Sequence, residues 1–553
     1  MSSPLHPFST HEVQNQPPAL GDYNLFTNDP GLVEAVKLNG AEWALEDLTA
    51  LGARAGTAEM FHQGHLAHLY PPVLHTFDAQ GRRRDQVEFH PAWHTFMGLS
   101  VSEGVHTGPW ADPKPGAHVA RAAKAMMLSQ VEPGHQCPIT MTYGVVPVLQ
   151  NHPEVAEAWM PKLLSTDYDP RFMPAEGKAG VIMGMGMTEK QGGSDVRANS
   201  TRATPNADGS YTIVGHKWFF SAPQCDAWLI LAQAPKGISC FLLPRFTPDG
   251  QPNALRFQRL KNKLGNRSNA SSEVEFHNAL AWPVGPEGKG VRTIIEMATY
   301  TRLDCCLGSA GATRQAVTRA VHHARHRHAF GKALIDQPLM ANVLADLAVE
   351  AEAAQMLALH LAAAFDARTR EGDDGLAGAL CRVMTPAAKY WICKRGPMVA
   401  AEAMEVFGGN GYVEDGPMAA LYREMPLNSI WEGSGNVMCL DVLRAIQRTP
   451  DALGLIFAEL EKARGGDARL DMALDGLKGH FADPASLEFR ARHVAEQLVL
   501  AYQGALLTRL GPTAVAEAFC GARLGGQRGG AFGNLPAGTD TGAILQRALV
   551  ETR

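Results

Sequence analysis

The stretch from Met183 to Ser221 contains the residue types with which a protein holds a ligand closely. Its first part reads MGMGMTEKQGGSDV, and glycines let a backbone approach a ligand without an intervening side chain. Thr188, Ser194 and Ser221 add hydroxyl donors of little bulk. The second part alternates as a strand does and ends in Trp-Phe-Phe-Ser. The combination predicts a site for a flat aromatic ligand with polar edges, although a surface loop beside a buried strand also fits.

Two motifs further along the chain are suited to phosphate groups. Arg327 begins an R-x-x-F-G pattern that contains Phe330, and a guanidinium is a planar, permanently charged partner for phosphate. Gly408 and Gly409 follow a helical stretch and permit a turn whose amides can meet a nucleotide. A surface arginine at a helix end is the simpler alternative for the first motif. We predict no metal site, because no carboxylate clusters with the neighbouring histidines His322, His323, His326 and His328.

The candidate for proton chemistry is Glu432, in the segment Ile-Trp-Glu-Gly-Ser. A carboxylate can remove the weakly acidic proton next to a thioester carbonyl, and burial against an aromatic ring makes it a stronger base. Trp431 is adjacent in sequence and would remove water from Glu432 when a substrate binds. A carboxylate near a turn at the start of a helix is the alternative explanation.

These motifs resemble, in order, those of the acyl-CoA dehydrogenase superfamily. Thr188 to Asp195 matches T-E-x-x-x-G-S-D, and Lys217 to Ser221 matches K-x-W-I-T, with Phe219 in place of Trp. The Gly408 motif resembles Q-x-x-G-G-x-G-Y, but Glu405 replaces the glutamine, and an ionised carboxylate cannot donate a hydrogen bond. The segment around Glu432 matches I-Y-E-G-T.

The resemblance implies an FAD-dependent oxidoreductase that acts on CH–CH groups, with Glu432 as the catalytic base. It implies that Arg327 reaches the flavin pyrophosphate of a neighbouring subunit, so the active protein is an oligomer. Because Trp431 is bulkier than the family's tyrosine, we expect weak activity on short or branched acyl-CoA. The residues that the resemblance assigns to FAD are Met185, Met187, Thr188, Gly193, Ser194, Phe219, Ser221, Arg327, Phe330, Gln337, Glu405, Gly408, Gly409, Trp431, Ser434 and Asn436.

Longer segments resemble one branch of the superfamily, the AidB flavoproteins. Among them are CPITMT, GHKWFFS, LKNKLGNRSNASSEVEF, TPAAKYWICKRG and LYREMPLNSIWEGSGNVMCLDVLR. This resemblance implies a homotetramer that binds double-stranded DNA and takes part in the adaptive response to alkylation damage. Two alternatives stay open: a metabolic acyl-CoA dehydrogenase or oxidase for short or branched acyl-CoA, and a non-catalytic scaffold that shields DNA and keeps FAD for its structure.

The elements that position these motifs divide the chain into four parts. Residues 1–180 are mostly helical after an N-terminal segment, 1–30, that fits an extended arm wrapping another part of the assembly or a disordered tail. Residues 181–286 contain short strands suited to a small barrel or sandwich, residues 287–448 contain the long apolar stripes of a helical bundle, and residues 449–553 add helices. The fold class is therefore mainly α with a small central β domain. It resembles the acyl-CoA dehydrogenase fold with an additional C-terminal helical domain.

Within these parts, the apolar periodicity predicts particular elements. The predicted helices of the first part are Ala41–Leu51, Thr57–Leu69, His118–Ser129 and Pro153–Leu164. The predicted strands of the second part are Asp226–Ala234, Ile238–Pro244 and Ser272–Phe276.

The charge of the chain gives little support for DNA binding by itself. The formal net charge is −6, which excludes a global basic field. From Lys478 to Arg553, eight Lys and Arg residues face six Asp and Glu residues, and composition alone favours an ordinary solvated surface. The AidB resemblance nevertheless places the DNA-binding surface after Arg448. The candidate residues are Arg444, Arg490, Arg492, Arg509, Arg523 and Arg528.

The cysteines and the chain start suggest where the protein resides. The nine cysteines show no C-x-x-C spacing, which is typical of buried thiols in a reducing compartment. The N-terminus has no apolar signal core, and we expect that no run is long enough to span a membrane. We therefore expect a cytoplasmic protein without a membrane partner.

Overall fold

The computed structural model describes residues 10–481, 483–526 and 530–552. The helices of its first unit are α1 (Pro30–Leu38), α2 (Leu45–Ala55), α3 (Ala58–Leu69), α4 (Pro91–Ser102), α5 (Gly108–Ala111), α6 (Ala117–Ser129), α7 (Gln136–Gln150) and α8 (Pro153–Leu163). An antiparallel hairpin of β1 (Val73–Phe77) and β2 (Arg83–Glu88) lies between α3 and α4. The four predicted helices are present as α2, α3, α6 and α8, whereas the apolar periodicity does not predict α4, α7 or the hairpin.

The second unit is a small closed barrel. Its strands are β3 (Met183–Gly186), β4 (Arg202–Pro205), β5 (Tyr211–Ser221), β6 (Ala227–Ala234), β7 (Gly237–Pro244), β8 (Leu255–Leu260) and β9 (Ser271–Pro283). Pairing runs from β6 through β4, β5, β9 and β7 back to β6, which closes the sheet, while β3 and β8 are attached at β6 and β9. The three predicted strands are present. Of the two predicted arrangements, the closed ring of pairings shows the barrel and not the sandwich.

The third unit is a helical bundle. Its helices are α9 (Gly290–His326), α10 (Pro338–Glu371), α11 (Gly375–Ala379), α12 (Thr385–Val406), α13 (Pro417–Glu424) and α14 (Gly435–Arg448). A two-residue turn at Phe330-Gly331 joins β10 (His328–Ala329) to β11 (Lys332–Ala333) between the two longest helices. Both turn residues have positive φ, 53° and 85°, as a type I′ hairpin requires.

Helix α10 corrects one expectation from the sequence. By length and composition it could cross a membrane, with a mean hydropathy of 1.2 in its most apolar window. The expectation that no run is long enough is therefore wrong. However, 89% of that window is buried among the other helices, so α10 has the surroundings of a core helix.

The last helices pack on the bundle. They are α15 (Pro450–Glu461), α16 (Ala468–His480), α17 (Ala491–Leu510), α18 (Thr513–Phe519) and α19 (Thr541–Ala548). Helix α17 contacts α10, α12 and α14, and α19 contacts α9 and α10. Arg547 in α19 forms ion pairs with Glu34 in α1, at 2.6 Å, and with Glu352 in α10, at 2.9 Å. This unit therefore shares buried surface with the rest of the chain.

The described part of the N-terminal segment lies against the end of α9 in the same chain. The carbonyl of Pro18 is 2.9 Å from Nε2 of His322, and Nδ2 of Asn15 donates to the carbonyl of His328 at 2.8 Å. Residues 1–9 lie outside the described residues. The arm thus has an intrachain partner, and its predicted role in an assembly stays a prediction.

Candidate active site

The loop after β3 is held in place by a buried ion pair. Glu189 and Lys217 are both fully buried, and Nζ of Lys217 donates to Oε1 of Glu189 at 2.8 Å. Glu189 also accepts hydrogen bonds from the backbone N–H groups of Ser200, at 2.7 Å, and Thr201, at 3.1 Å. Burial alone would raise the pKa of Glu189, but Lys217 and these hydrogen bonds outweigh it and lower the pKa to about 2. An ionised Glu189 therefore ties the predicted ligand loop to β5.

The same loop packs closely on itself at Gly193. A Cβ atom at Gly193 would lie 2.4 Å from Oγ1 of Thr188, so only glycine permits this close approach. The backbone N–H of Trp218 donates to the carbonyl of Thr188 at 2.9 Å, which places the loop beside β5. Phe219 is half exposed on that strand, so its ring is available to a flat ligand. Met185 is buried beneath the loop.

Glu432 lies in a strained turn just before α14. Its φ is 59°, in the left-handed region that a non-glycine residue rarely adopts. Two buried cations hold the turn from below: Nε of Arg302 donates to the carbonyl of Glu432 at 2.9 Å, and Nζ of Lys389 donates to the carbonyl of Gly433 at 2.7 Å. The position of the carboxylate is therefore determined by the bundle and not by the loop alone.

The carboxylate of Glu432 has the properties of a base. Oγ1 of Thr301 donates to its Oε2 at 2.7 Å and leaves Oε1 without a hydrogen bond from the described residues. Burial raises the pKa of Glu432, while the Thr301 hydrogen bond and the charges of Arg302 and Lys389 oppose part of that rise. Trp431 beside it is fixed, because its Nε1 donates to Oδ1 of Asn428 at 2.9 Å. A carboxylate with a raised pKa and one free oxygen is suited to accept a proton.

Cys137 connects the ligand loop to the base. Its thiol, at the start of α7, lies beside the Ser221 hydroxyl and within electrostatic range of Glu432. Burial raises the pKa of this thiol to about 11, so it is uncharged at neutral pH. The structure thus brings Ser221, from the barrel, and Glu432, from the bundle, around one point on α7. Ser434 and Asn436 lie at the start of α14, directly after the Glu432 turn.

The other predicted ligand residues gather at the far end of α9. Nε2 of Gln337 donates to the carbonyl of Ala329 at 3.1 Å and supports the turn on which Phe330 is 97% exposed. The rings of His323 and Phe407 are 4.3 Å apart, which brings the Gly408-Gly409 turn to the same end. Glu405, Gly408 and Gly409 are exposed there, and a Cβ atom at either glycine would contact nothing within 4 Å.

These two groups of residues are distant within one chain. Thr301, which contacts Glu432, lies in the first half of α9, and Arg327 follows the last residue of that helix. At roughly 1.5 Å of rise per residue, about 39 Å of helix separate them. One dinucleotide cannot reach both groups within one chain, so the structure does not bring the whole predicted set together in a single copy.

The predicted DNA-binding arginines differ in their accessibility. Arg523 is a correction: it is buried and forms ion pairs with Asp346 and Glu350, so its guanidinium is not available to phosphate. Arg509 pairs with Glu459 at 2.6 Å, and Arg490 donates to Oγ of Ser486 at 2.8 Å. Arg528 lies outside the described residues. The exposed members are Arg444 and Arg492, the latter close to the ring of Tyr390.

Sequence reasoning does not identify the residues that support the site. Lys217 stands within a recognised motif, but nothing in its neighbourhood indicates that it pairs with Glu189. Thr301, Arg302 and Lys389 are distant from Glu432 in sequence, and no local pattern marks them as its contacts. Only the long-range packing of the bundle shows these roles.

The elements and the site define the class of protein. A closed barrel between two helical units, with a clamped glutamate before the last bundle helix, is the arrangement of an acyl-CoA dehydrogenase. Residues 184–279 match the family described as acyl-CoA dehydrogenase, middle domain, and residues 288–447 match its C-terminal domain. Residues 15–170 match the adaptive response protein AidB N-terminal domain.

Similar proteins narrow the class to one family. The chain is 48% identical to AidB of Escherichia coli (strain K12) over 515 residues, which cover 93% of this chain and 94% of that protein. It therefore belongs to the AidB family of the acyl-CoA dehydrogenases, which are FAD-dependent oxidoreductases.

Solved structures agree with this fold. Caenorhabditis elegans ACDH-11 in complex with C11-CoA superimposes with a TM-score of 0.85 at 27% identity, covering 93% of this chain and 92% of that chain. The acyl-CoA dehydrogenase of Bacillus anthracis, complexed with FAD, gives a TM-score of 0.61 at 17% identity over 78% of this chain and 80% of that chain, which shows the fold alone.

Proposed function

We propose that this chain is an FAD-containing, DNA-binding flavoprotein of the AidB type that takes part in the adaptive response to alkylation damage and has weak or vestigial acyl-CoA dehydrogenase activity. The observation that carries the redox part is the clamped Glu432 turn, whose carboxylate has a free oxygen and a raised pKa. Nine free, buried cysteines suit the reducing cytoplasm that we propose as its location.

The residues of the site fit FAD. Thr188 and Ser221 supply hydroxyl donors on one side, and the Gly408-Gly409 turn leaves open space at the other. The amide of the buried Asn269, in the loop that leads to Ser271, has the weakly hydrogen-bonding thiol of Cys137 as its neighbour and no stronger partner among the described residues, so a polar group is expected near it. FAD, when bound, supplies hydride acceptance, which no side chain can provide.

The chain's own residues supply the proton chemistry. Glu432 would take the proton next to a thioester carbonyl, with its backbone held by the hydrogen bonds from Arg302 and Lys389. Trp431 would exclude water from this point.

The test of the whole proposal is to titrate the FAD-loaded protein with duplex DNA and with acyl-CoA, following flavin absorbance and duplex anisotropy together. The proposal would be contradicted if the protein showed no duplex binding and no flavin reduction.

We propose that each flavin site is shared between two chains, because Arg327 is about 39 Å of helix from Thr301, and that two such pairs form the homotetramer. Arg327→Ala is expected to weaken FAD binding about tenfold or more, since it removes a charged donor to phosphate. Equilibrium dialysis of FAD measures the loss, and sedimentation reports the assembly. Arg325→Ala, an exposed arginine two residues away, is the matched control. An FAD-loaded monomer, or unchanged FAD affinity in Arg327→Ala, would contradict the shared site.

The exposed arginines near the last helices support the DNA part of the proposal. Arg444→Glu with Arg492→Glu should weaken duplex binding at low salt and reduce the slope of log K against log salt by about 2, because each lost phosphate contact removes roughly 0.9 from it. Fluorescence anisotropy over a salt series measures both effects. Arg82→Glu, exposed on the N-terminal hairpin, is the control. If the double variant keeps FAD and binds duplex with an unchanged slope, these two arginines are not in the surface.

A metabolic acyl-CoA dehydrogenase for short or branched acyl-CoA is the second candidate. The fixed indole of Trp431 beside Glu432 favours it, since a bulky rigid ring leaves less room than tyrosine for a long acyl chain. A panel of acyl-CoA substrates of increasing length, with flavin bleaching as the readout, distinguishes the candidates. Fast turnover without any duplex affinity would favour the metabolic enzyme.

A further inference from the structure

Lys263 is connected through one hydroxyl group, that of Ser271, to Ser221 at the end of β5. Nζ of Lys263, in the loop between β8 and β9, donates to Oγ of Ser271 at 3.1 Å and to the carbonyl of Asn269 at 2.7 Å. Oγ of Ser271 is 3.3 Å from Oγ of Ser221, the last residue of β5. The three side chains therefore form a continuous chain from an ammonium group to the hydroxyl assigned to FAD.

The donors and acceptors of these three groups set the direction of the hydrogen bonds between them. An ammonium group has three donors and no acceptor, so Ser271 must accept from Lys263 through its oxygen. The hydroxyl proton of Ser271 is then free to be donated to Ser221. Ser221 in turn keeps its own proton for a group outside the chain. When Ser271 accepts from the charged Lys263 and donates to Ser221, the Ser221 proton is available to the cofactor.

Lys263 has no carboxylate at ion-pair distance within residues 10–481, 483–526 and 530–552. Its charged and titratable neighbours are Cys137 on α7, Glu424 on α13 and Glu132 before α7. Glu424 accepts from Nδ2 of Asn266 at 2.8 Å, and Glu132 lies 2.8 Å from Nδ1 of His135, so both carboxylates are engaged elsewhere. An enclosed ammonium without a counter-ion is costly, so a partner that gains negative charge is expected close to it.

We propose that Lys263 is a positioning residue for the flavin: acting through Ser271, it orients the Ser221 hydroxyl as a donor to FAD and raises the reduction potential of the bound cofactor. The physical reason is that reduction places negative charge on the flavin, and a nearby cation and a directed donor both stabilise that charge. The inference rests on FAD binding at the Ser221 strand, as proposed above.

The same arrangement makes the potential sensitive to pH. Burial lowers the pKa of Lys263 to about 8, with the neighbouring Cys137, Glu424 and Glu132 acting in the opposite direction. Below this pH Lys263 is charged and the Ser221 proton is directed towards the cofactor. Above it the ammonium loses a proton, Ser271 no longer has to accept from it, and the stabilisation of the reduced cofactor falls. The potential of the wild-type protein should therefore show an additional break near pH 8.

The experiment is a potentiometric titration of FAD-loaded protein between pH 6.5 and about 9.5. Lys263→Met should favour oxidised over reduced FAD about tenfold more than the wild type does, which is a fall of about 30 mV for two electrons. It should also remove the break near pH 8. Lys263→Arg should restore the potential and move the break out of the range. Ser271→Ala keeps the ammonium but interrupts the chain, and it should also lose the break.

Controls and outcomes separate the possible failures. Lys236→Met, in the exposed turn between β6 and β7, should leave potential and pH dependence unchanged. An unchanged potential and break in Lys263→Met overturn the proposal, and an unchanged break in Ser271→Ala overturns the route through Ser271. If Lys263→Met holds no FAD, the wild-type protein and Lys263→Arg still test the proposal. A wild-type potential without a break near pH 8 overturns the proposal. A wild type that binds no FAD instead refutes the proposed function.

Discussion

Glu432→Gln is expected to retain FAD and to lose flavin bleaching by short-chain acyl-CoA, with a rate reduced about 10²–10⁴-fold. Glutamine has nearly the same shape as glutamate, and the carbonyl clamps from Arg302 and Lys389 hold the backbone and not the carboxylate. The turn should therefore persist. An amide cannot accept the proton that the reaction releases, so the chemical step fails while binding continues. Anaerobic stopped-flow absorbance of the flavin measures the rate directly.

The pH profile provides a second readout for Glu432. A base must be ionised to act, and burial raises the pKa of this carboxyl above its ordinary range. The bleaching rate of the wild type should therefore rise with pH and reach half its plateau above the ordinary glutamate pKa of about 4.3. Glu371→Gln, an exposed carboxylate at the C-terminal end of α10, is the matched control and should bleach normally. Bleaching at the wild-type rate in Glu432→Gln would remove Glu432 from the role of base.

The fold was accessible from the sequence where local periodicity decides structure. The apolar stripe of α10 and the alternating runs of β6 and β7 are visible in single segments. The hairpin strand Arg83–Glu88 reads as a polar loop, because most of its residues are charged or polar and its pairing with β1 is the only evidence of a strand. The choice between barrel and sandwich depends on the pairing of β4 and β7 with distant strands, which no local pattern records.

The site was accessible where a family motif carries it, as for Glu432 and the loop at Thr188. Its supports were not, because a buried cation and an exposed cation have the same letter in a sequence. Lys389 and Arg302 hold the turn of Glu432 from two different helices, and neither has a local signature. Arg523 shows the opposite error. It stands in a glycine-rich segment that suggests a flexible basic loop, yet it is enclosed by two acidic residues of α10.

Arg523 is therefore expected to act on stability and not on DNA. Its Nη2 lies 2.6 Å from Oδ1 of Asp346 and 2.9 Å from Oε2 of Glu350, and the second carboxylate is shared with Arg395 at 3.0 Å. Arg523→Met removes the cation and leaves the buried Asp346 with only the backbone N–H groups of Gly533 and Asn534 as partners, and Glu350 with one cation fewer. Breaking a buried ion pair in this way costs about 3–5 kcal/mol of unfolding free energy.

Chemical denaturation of FAD-saturated protein tests this expectation, with Arg444→Met as the control. Arg444 is exposed, so its loss should change the unfolding free energy by less than about 0.5 kcal/mol.

Burial would raise the pKa of Glu350, but Arg395 and Arg523 outweigh it and lower the pKa to about 2. Its stabilising contribution is thus present above the unfolded pKa, near 4.3, and is lost as pH falls towards 2. Arg523→Met should show a smaller acid loss, because less stabilisation remains to be titrated. A variant as stable as the wild type, with weaker duplex binding, would return Arg523 to the DNA surface.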